Sequence, residues 1–272
     1  MTPRSVPPGS RPHLTPQKLV GRMFDRNTFK GIEIALVGYC PRPRCLDQYD
    51  PRDTANQYFI HIPPSNVQVC RHNDVRFLSI THVYGGPVSS ALIEELAYYG
   101  IKYVLAYGLA GGLGTKNLKM GDFYLVEKAL AMDGTTPHYT SDTVIGSDEF
   151  LNSKIKELAK STGFPQIMPV QALTADAIYR EYDEELEFAR ENGCDIVNCD
   201  SSHLVAVSRA VNIRSTECGV LSDVAQGSGE EWDSTLSGML SVDDRTAQDP
   251  MALAGKIVEF YADVVTPALV RD

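Results

Sequence analysis

Val104-Leu105-Ala106-Tyr107-Gly108-Leu109-Ala110-Gly111-Gly112-Leu113-Gly114 is the stretch whose reading decides the fold. Ile101 to Tyr107 reads as a buried strand, and the glycines follow it directly. A strand running into glycines suggests a phosphate cradle, but the dinucleotide fingerprint needs glycine at position 110, where alanine stands. The P-loop needs Gly-Lys-Ser/Thr at its end, and both motifs need a helix next. Here Leu118-Lys119-Met120-Gly121-Asp122 leads into another strand, Asp122 to Lys128. The segment is therefore expected to be a strand, a glycine turn and a strand. Glycine permits positive φ and close approach of a ligand to the backbone, and a tight turn without a ligand satisfies the same pattern.

Outward from this point, strand and helix signals alternate. Ile32 to Val37, Phe59 to Ile62, Val75 to His82, Pro169 to Thr174 and Ser215 to Ser222 read as strands. Pro87 opens a helix that Gly100 stops. Further helices are expected over Phe150 to Thr162, Asp183 to Asn192, Ser201 to Val211 and Ala252 to Val265. Alternation at these lengths means an α/β fold. No composition shift marks a boundary after residue 31, so 31–272 is expected to be one domain.

Residues 1–30 differ. They carry Pro3, Pro7, Pro8, Pro12 and Pro16, and six Lys or Arg against Asp25. This basic, proline-rich arm or tail leaves a charge of about −15 on the rest of a chain whose net charge is −10. An acidic body of this kind excludes a general nucleic-acid surface. No apolar run approaches the ~20 residues that span a bilayer. The six cysteines do not form a zinc pattern, and no two histidines sit at metal spacing, so no metal or organic cofactor is expected. With no apolar signal core at the N-terminus, the expected compartment is the reducing cytoplasm. Gly227 to Trp232 reads as a surface loop or a lid over a site near Asp223.

Six segments in order make the chain resemble the purine nucleoside phosphorylase and uridine phosphorylase family. They are Tyr84-Gly85-Gly86-Pro87-Val88-Ser89-Ser90 with Glu94-Glu95-Leu96, the glycine stretch with Lys119-Met120-Gly121-Asp122, Asp133-Gly134-Thr135-Thr136 with Tyr139, Thr174 to Tyr179, Asn198-Cys199-Asp200, and Leu221-Ser222-Asp223. The resemblance implies a single domain with a twisted, mixed central sheet flanked by helices. It implies a homo-oligomer, dimer to hexamer, and cleavage of the N-glycosidic bond of a nucleoside, with phosphorolysis to a pentose 1-phosphate as the leading expectation. Inorganic phosphate is then a co-substrate. Hydrolysis by the same fold and non-catalytic nucleoside binding are the alternatives.

The resemblance also assigns roles. Asp223 matches the acid that protonates a purine leaving group; burial at a strand end is expected to keep it protonated. The alternative is a loop aspartate that caps the next segment. Asp200, beside Cys199, matches the carboxylate that accepts ribose hydroxyls, although the family carries glutamate there; a helix N-cap is the alternative. Ile178 and Tyr179 match the base pocket, or are ordinary core. Tyr84 and Gly85 match the backbone beneath the sugar, and Gly108, Leu109 and Ala110 the glycine turn. Gly38-Tyr39-Cys40-Pro41-Arg42 resembles the family's phosphate-binding Gly-Asp-Pro-x-Arg, which makes Gly38 and Arg42 the expected anion contacts unless Arg42 is surface charge. The family's second phosphate arginine is Ala106 here, and its turn hydroxyl is Leu109. The purine-type Ser222-Asp223, with Tyr182 and Glu184 where the uridine branch has Gln-x-Arg, points to a purine-like base.

Overall fold

A computed structural model describes residues 11–224, 233–234 and 249–271; the expected lid at 227–232 lies outside them. Among the described residues, eleven strands form one mixed sheet. They are β1 (Ile34–Gly38), β2 (Arg52–Asp53), β3 (Val67–His72), β4 (Val75–Ile80), β5 (Tyr103–Gly112), β6 (Phe123–Ala131), β7 (Val144–Gly146), β8 (Ile167–Thr174), β9 (Ile196–Asn198), β10 (Arg214–Val224) and β11 (Asp233–Ser234). The helices that concern the site and the core are α1 (Pro16–Leu19), α2 (Gly86–Tyr98), α3 (Glu149–Thr162), α4 (Asp183–Glu191), α5 (Ser201–Ala210) and α6 (Pro250–Phe260).

The seam of the sheet is β5. Its first half pairs with β1 on one side and β10 on the other. At Gly111 and Gly112 the place of β1 is taken by β9. β10 pairs with β6, β6 with β8 and β8 with β9, so the five strands close into a ring. β1, β4, β3 and β2 continue outward as an open sheet.

This corrects the expected glycine turn. The run from Gly108 to Gly112 is the second half of one ten-residue strand, and within 108–114 only Gly114 has a positive φ, +76°. Glycine is required there by close approach. A Cβ on Gly112 would stand 2.6 Å from Leu221 Cδ2 of β10.

Both faces of the sheet are covered, so strand residues alternate between two cores. Ile34, Leu36, Leu105 and Tyr107 pack with Leu151 and Ile155 of α3 and with Ile257 and Val258 of α6. Ala35, Val37, Val104 and Ala106 pack with Leu92, Ile93 and Leu96 of α2 and with Leu204 and Val207 of α5. Ala110, Tyr124, Val126, Val170, Ala172, Ile196 and Leu221, drawn from all five ring strands, pack on one another. α3 is bounded as its sequence dictates. The Asp148 carboxylate accepts from Leu151 N–H, and Gly163 closes the helix at φ +73°.

Two other expectations change. Phe59 to Ile62 forms no strand; Phe59 and Ile62 are buried plugs beside Tyr99, and their apolarity reports burial rather than pairing. The second half of the basic arm does form structure. Thr15 caps α1, Val20 and Phe29 are buried in the α2-side core, and Tyr98 donates to the Phe24 carbonyl. From Val20 onward the arm therefore packs on its own chain.

Glu95 of α2 is 3% exposed, and its carboxylate accepts from Ile60 N–H at 3.2–3.3 Å. Burial, with a smaller push from Glu94, raises its pKa from 4.5 to about 7, although the Ile60 N–H opposes the shift. A pKa raised in the fold stabilises fully below the unfolded value and loses that contribution as pH rises towards 7. Glu95→Gln keeps an acceptor for Ile60 and carries no charge. Relative to wild type it should gain about 1–3 kcal/mol between pH 5 and pH 8 in urea unfolding. An equal difference at both pH values would refute this.

Candidate active site

The sequence places Asp200 at the N-cap of α5, yet its side chain caps nothing. That work is done by neighbours: Asn198 Oδ1 accepts from the N–H groups of Asp200 and Ser201 at 3.3 Å, and Thr174 Oγ1 from Ser202 N–H at 2.9 Å. Asp133 clamps the same turn. Its Oδ1 accepts from Thr135 and Thr136 N–H, and its Oδ2 from the Ser202 hydroxyl at 2.6 Å. The motif from Asp133 to Thr136 is thus the brace of α5. His203 adds to it, with Nε2 2.8 Å from the Cys199 carbonyl; burial lowers its pKa and keeps it neutral.

The Asp200 carboxylate is left 6% exposed, with no hydrogen bond to it among the described residues. It faces Gly108: a Cβ there would lie 3.8 Å from Asp200 Oδ2, 3.7 Å from Glu217 Oε1 and 3.4 Å from Tyr39 Cβ. Gly108 therefore opens the space into which two carboxylates look. Tyr84, half-exposed, and Cys199 border it. Burial, then Cys40 and Asp200, push Tyr84 up to about 12; burial, then Asp200 and Glu181, push Cys199 up to about 12. Gly85, at φ +80° with nothing within 4 Å of a Cβ, leaves room beside Tyr84.

Glu217 was not anticipated. It stands on β10 opposite Ala106 and is 1% exposed. Its Oε1 accepts from Tyr124 Oη at 3.1 Å and Asn198 Nδ2 at 3.0 Å, and its Oε2 from Ser201 Oγ at 2.7 Å. Burial, and in Asp200 also repulsion by Glu217, drives the pKa of both carboxylates up. No local sequence signal separated it from a solvent-facing strand glutamate.

Asp223, half-buried rather than buried as expected, stands at a bulge one residue before the end of β10. Leu221 pairs with Ala110 and Asp223 with Gly111, so Ser222 is the extra residue. The Ser222 hydroxyl lies 2.6 Å from Asp223 Oδ1, and Asp223 Oδ2 would stand 3.0 Å from a Cβ on Gly111. Gly108, beside Asp200 and Glu217, and Gly111, beside Asp223, lie about 10 Å apart along one strand. Glu181 joins the Asp223 end: burial, then Asp223 and Glu185, raise it to about 6.

Other expected contacts are placed differently. Leu109 packs into the α3–α6 core and Ala110 lies among the ring residues, so only their backbone atoms are available. Ile178 and Tyr179 stand 57% and 90% exposed on a short turn. Gly38 is glycine because a Cβ would meet the Tyr107 ring at 2.7 Å. Arg42 is not brought to Asp200: its Nε donates to Gln68 Oε1 at 2.9 Å and its Nη2 to Asp47 Oδ1 at 2.8 Å. It lines a groove with Arg44, Cys45, Asp249 and Glu259. Among the described residues, no cationic side chain acts on Asp200 or Glu217, and no cluster of His, Cys, Asp or Glu fits a metal ion. No helix among them is long and apolar enough to cross a membrane.

Comparison with known proteins shows the family and the fold. Residues 67–259 match the Phosphorylase superfamily, to which the chain belongs. The chain is 30% identical over 235 residues to an uncharacterized protein, R802, of Acanthamoeba polyphaga mimivirus, covering 86% of this chain and 91% of that one. Three solved structures share the fold. Toxoplasma gondii purine nucleoside phosphorylase in complex with immucillin-H gives TM-score 0.66 at 18% identity, covering 84% of this chain and 88% of its own. A futalosine hydrolase mutant of Helicobacter pylori gives 0.64 at 15%, covering 85% and 99%. Campylobacter jejuni 5′-methylthioadenosine/S-adenosyl homocysteine nucleosidase gives 0.63 at 16%, covering 89% and 100%.

Proposed function

We propose that the protein cleaves the N-glycosidic bond of a purine-like nucleoside, with water as the acceptor of the sugar. The observation that carries this is the buried Asp200 carboxylate, relieved of capping and facing the opening at Gly108. Two ribose hydroxyls supply the donors it lacks. Asp223 stands where a purine ring nitrogen would follow, and it protonates the departing base. Cys199, Tyr84 and Gly85 border the sugar, and the backbone of Gly108 to Ala110 forms the floor. Ile178 and Tyr179 close on the base from the turn they occupy.

Water is favoured over phosphate by charge. Ala106 and Leu109 offer no anion contact, Arg42 is bound to Asp47 and Gln68, and Glu217 sits opposite Ala106. A phosphate dianion beside the Glu217 carboxylate is repelled by a few kcal/mol even at an effective dielectric of ~20. The superfamily includes phosphorylases as well as hydrolases, so the test is product analysis. A panel of purine and pyrimidine nucleosides is incubated with and without inorganic phosphate. Purine release at equal rates, with free ribose formed, is the expected result. Phosphate-dependent release with ribose 1-phosphate would replace hydrolysis by phosphorolysis and give Arg42 or a neighbouring subunit the anion. No release from any nucleoside would leave a binding protein.

A further inference from the structure

Glu217 enters the roles above only through its charge, yet its carboxylate is firmly held. Three donors from three elements converge on it: Tyr124 of β6, Asn198 at the end of β9 and Ser201 at the start of α5. Asp200, on the other side of the Gly108 opening, receives none. The titratable groups facing the pair are Tyr39, Cys40, Tyr84 and Cys199 around Asp200 and Tyr124, Cys218 and Tyr261 around Glu217; none is a cation. Two buried carboxylates with no counter-ion do not both ionise, and the one with donors keeps the charge.

We propose that Glu217 is a positioning residue acting through Asp200: its anchored negative charge holds a proton on Asp200 in the empty site, and positive charge arriving on the sugar ring drives that proton off. This rests on the reading of the site as one that cleaves nucleosides. In the empty protein Asp200 is a carboxylic acid. As the glycosidic bond breaks, electrons leave C1′ with the base and the sugar becomes cationic. The Asp200 O–H then loses its proton to solvent, and two carboxylates face the cation. The site is neutral enough to fold around and becomes most negative when the sugar is most positive, which is stabilisation confined to the transition state. The raised pKa of Asp200, driven by burial and then by Glu217, agrees with this.

The test has two arms on the full chain. Wild-type-minus-variant infrared difference spectra of the empty protein at pH 7 should show a protonated carboxyl lost in both Asp200→Asn and Glu217→Gln, since without the Glu217 charge Asp200 ionises; the protonated fraction of Glu95 cancels in each difference. No carboxyl loss in the Glu217→Gln difference overturns the proposal, and if that variant fails to fold, no carboxyl loss in the Asp200→Asn difference does the same. The second arm is calorimetry with a nucleoside analogue whose sugar ring carries a protonated nitrogen, run in buffers of different ionisation enthalpy. Wild type should release about one proton on binding, and Glu217→Gln none, with affinity weakened on the order of tenfold. Equal proton release in both overturns the proposal. An infrared signature without any analogue binding or nucleoside turnover would sink the nucleoside reading and leave the shared proton standing.

Discussion

Asp223→Asn is expected to lower kcat for a purine nucleoside by about 10²–10³-fold while moving KM little. Asparagine keeps the volume at the bulge and an acceptor for the Ser222 hydroxyl, 2.6 Å away in wild type. What it removes is a transferable proton. A purine anion is a poor leaving group and needs that proton in the transition state. A nitrophenyl riboside does not, because its phenolate leaves unaided. Steady-state kinetics on both substrates therefore separates chemistry from damage: the purine rate should collapse and the nitrophenyl rate should fall by less than about tenfold. Equal losses on the two substrates would mean that Asp223 is not the acid. Glu181, pushed up to about 6 by burial, then by Asp223 and Glu185, is the rival donor. A leaving-group-dependent loss in Glu181→Gln, and not in Asp223→Asn, would transfer the role to it.

What was legible in the sequence depended on whether a residue's meaning was local. Ser222-Asp223 and Asn198-Cys199-Asp200 were legible only through the family resemblance, because each is a short motif contiguous in sequence. The alternation that builds two cores from Ile34 to Val37 and from Val104 to Tyr107 was equally local. The glycines were misjudged as a turn because their reason lies on other strands: Leu221 against Gly112, Val197 and Asp223 against Gly111. Arg42 kept its offset from Gly38, but its partner Gln68 comes from β3, a strand that the sequence reading did not anticipate. Glu217 was invisible for the opposite reason. A glutamate in a strand reads as a solvent-facing residue until the strand is known to be covered on both sides, and its donors Tyr124, Asn198 and Ser201 are far apart in the chain. Asp200 was recognised by position, but only the structure removes the capping alternative, by showing Asn198 and Thr174 in that role.

Gly219→Ala should destabilise the protein by about 2–3 kcal/mol and impair the site as well. Gly219 pairs directly with Tyr124 across β10 and β6. A Cβ there would fall 2.1 Å from Tyr124 Cζ and Oη, a separation that no rotamer change relieves because the ring is fully buried among the ring-strand residues. The tyrosine must move, and its hydroxyl is one of the three donors on Glu217. One methyl group therefore costs packing in the core and a hydrogen bond to a buried charge. Thermal melts should show a loss of roughly 5–10 °C for a domain of this size. The cause is separable by a cycle. Tyr124→Leu removes both the ring and the hydroxyl, so in the double variant the alanine has nothing to strike. The two changes should then be non-additive by at least about 1 kcal/mol, with the double variant more stable than the sum predicts. Tyr124→Phe, which keeps the ring and loses only the donor, should spare most of the stability but lose part of the turnover. Strict additivity in the Gly219–Tyr124 cycle would show that the close packing of this pair is not what requires glycine at 219.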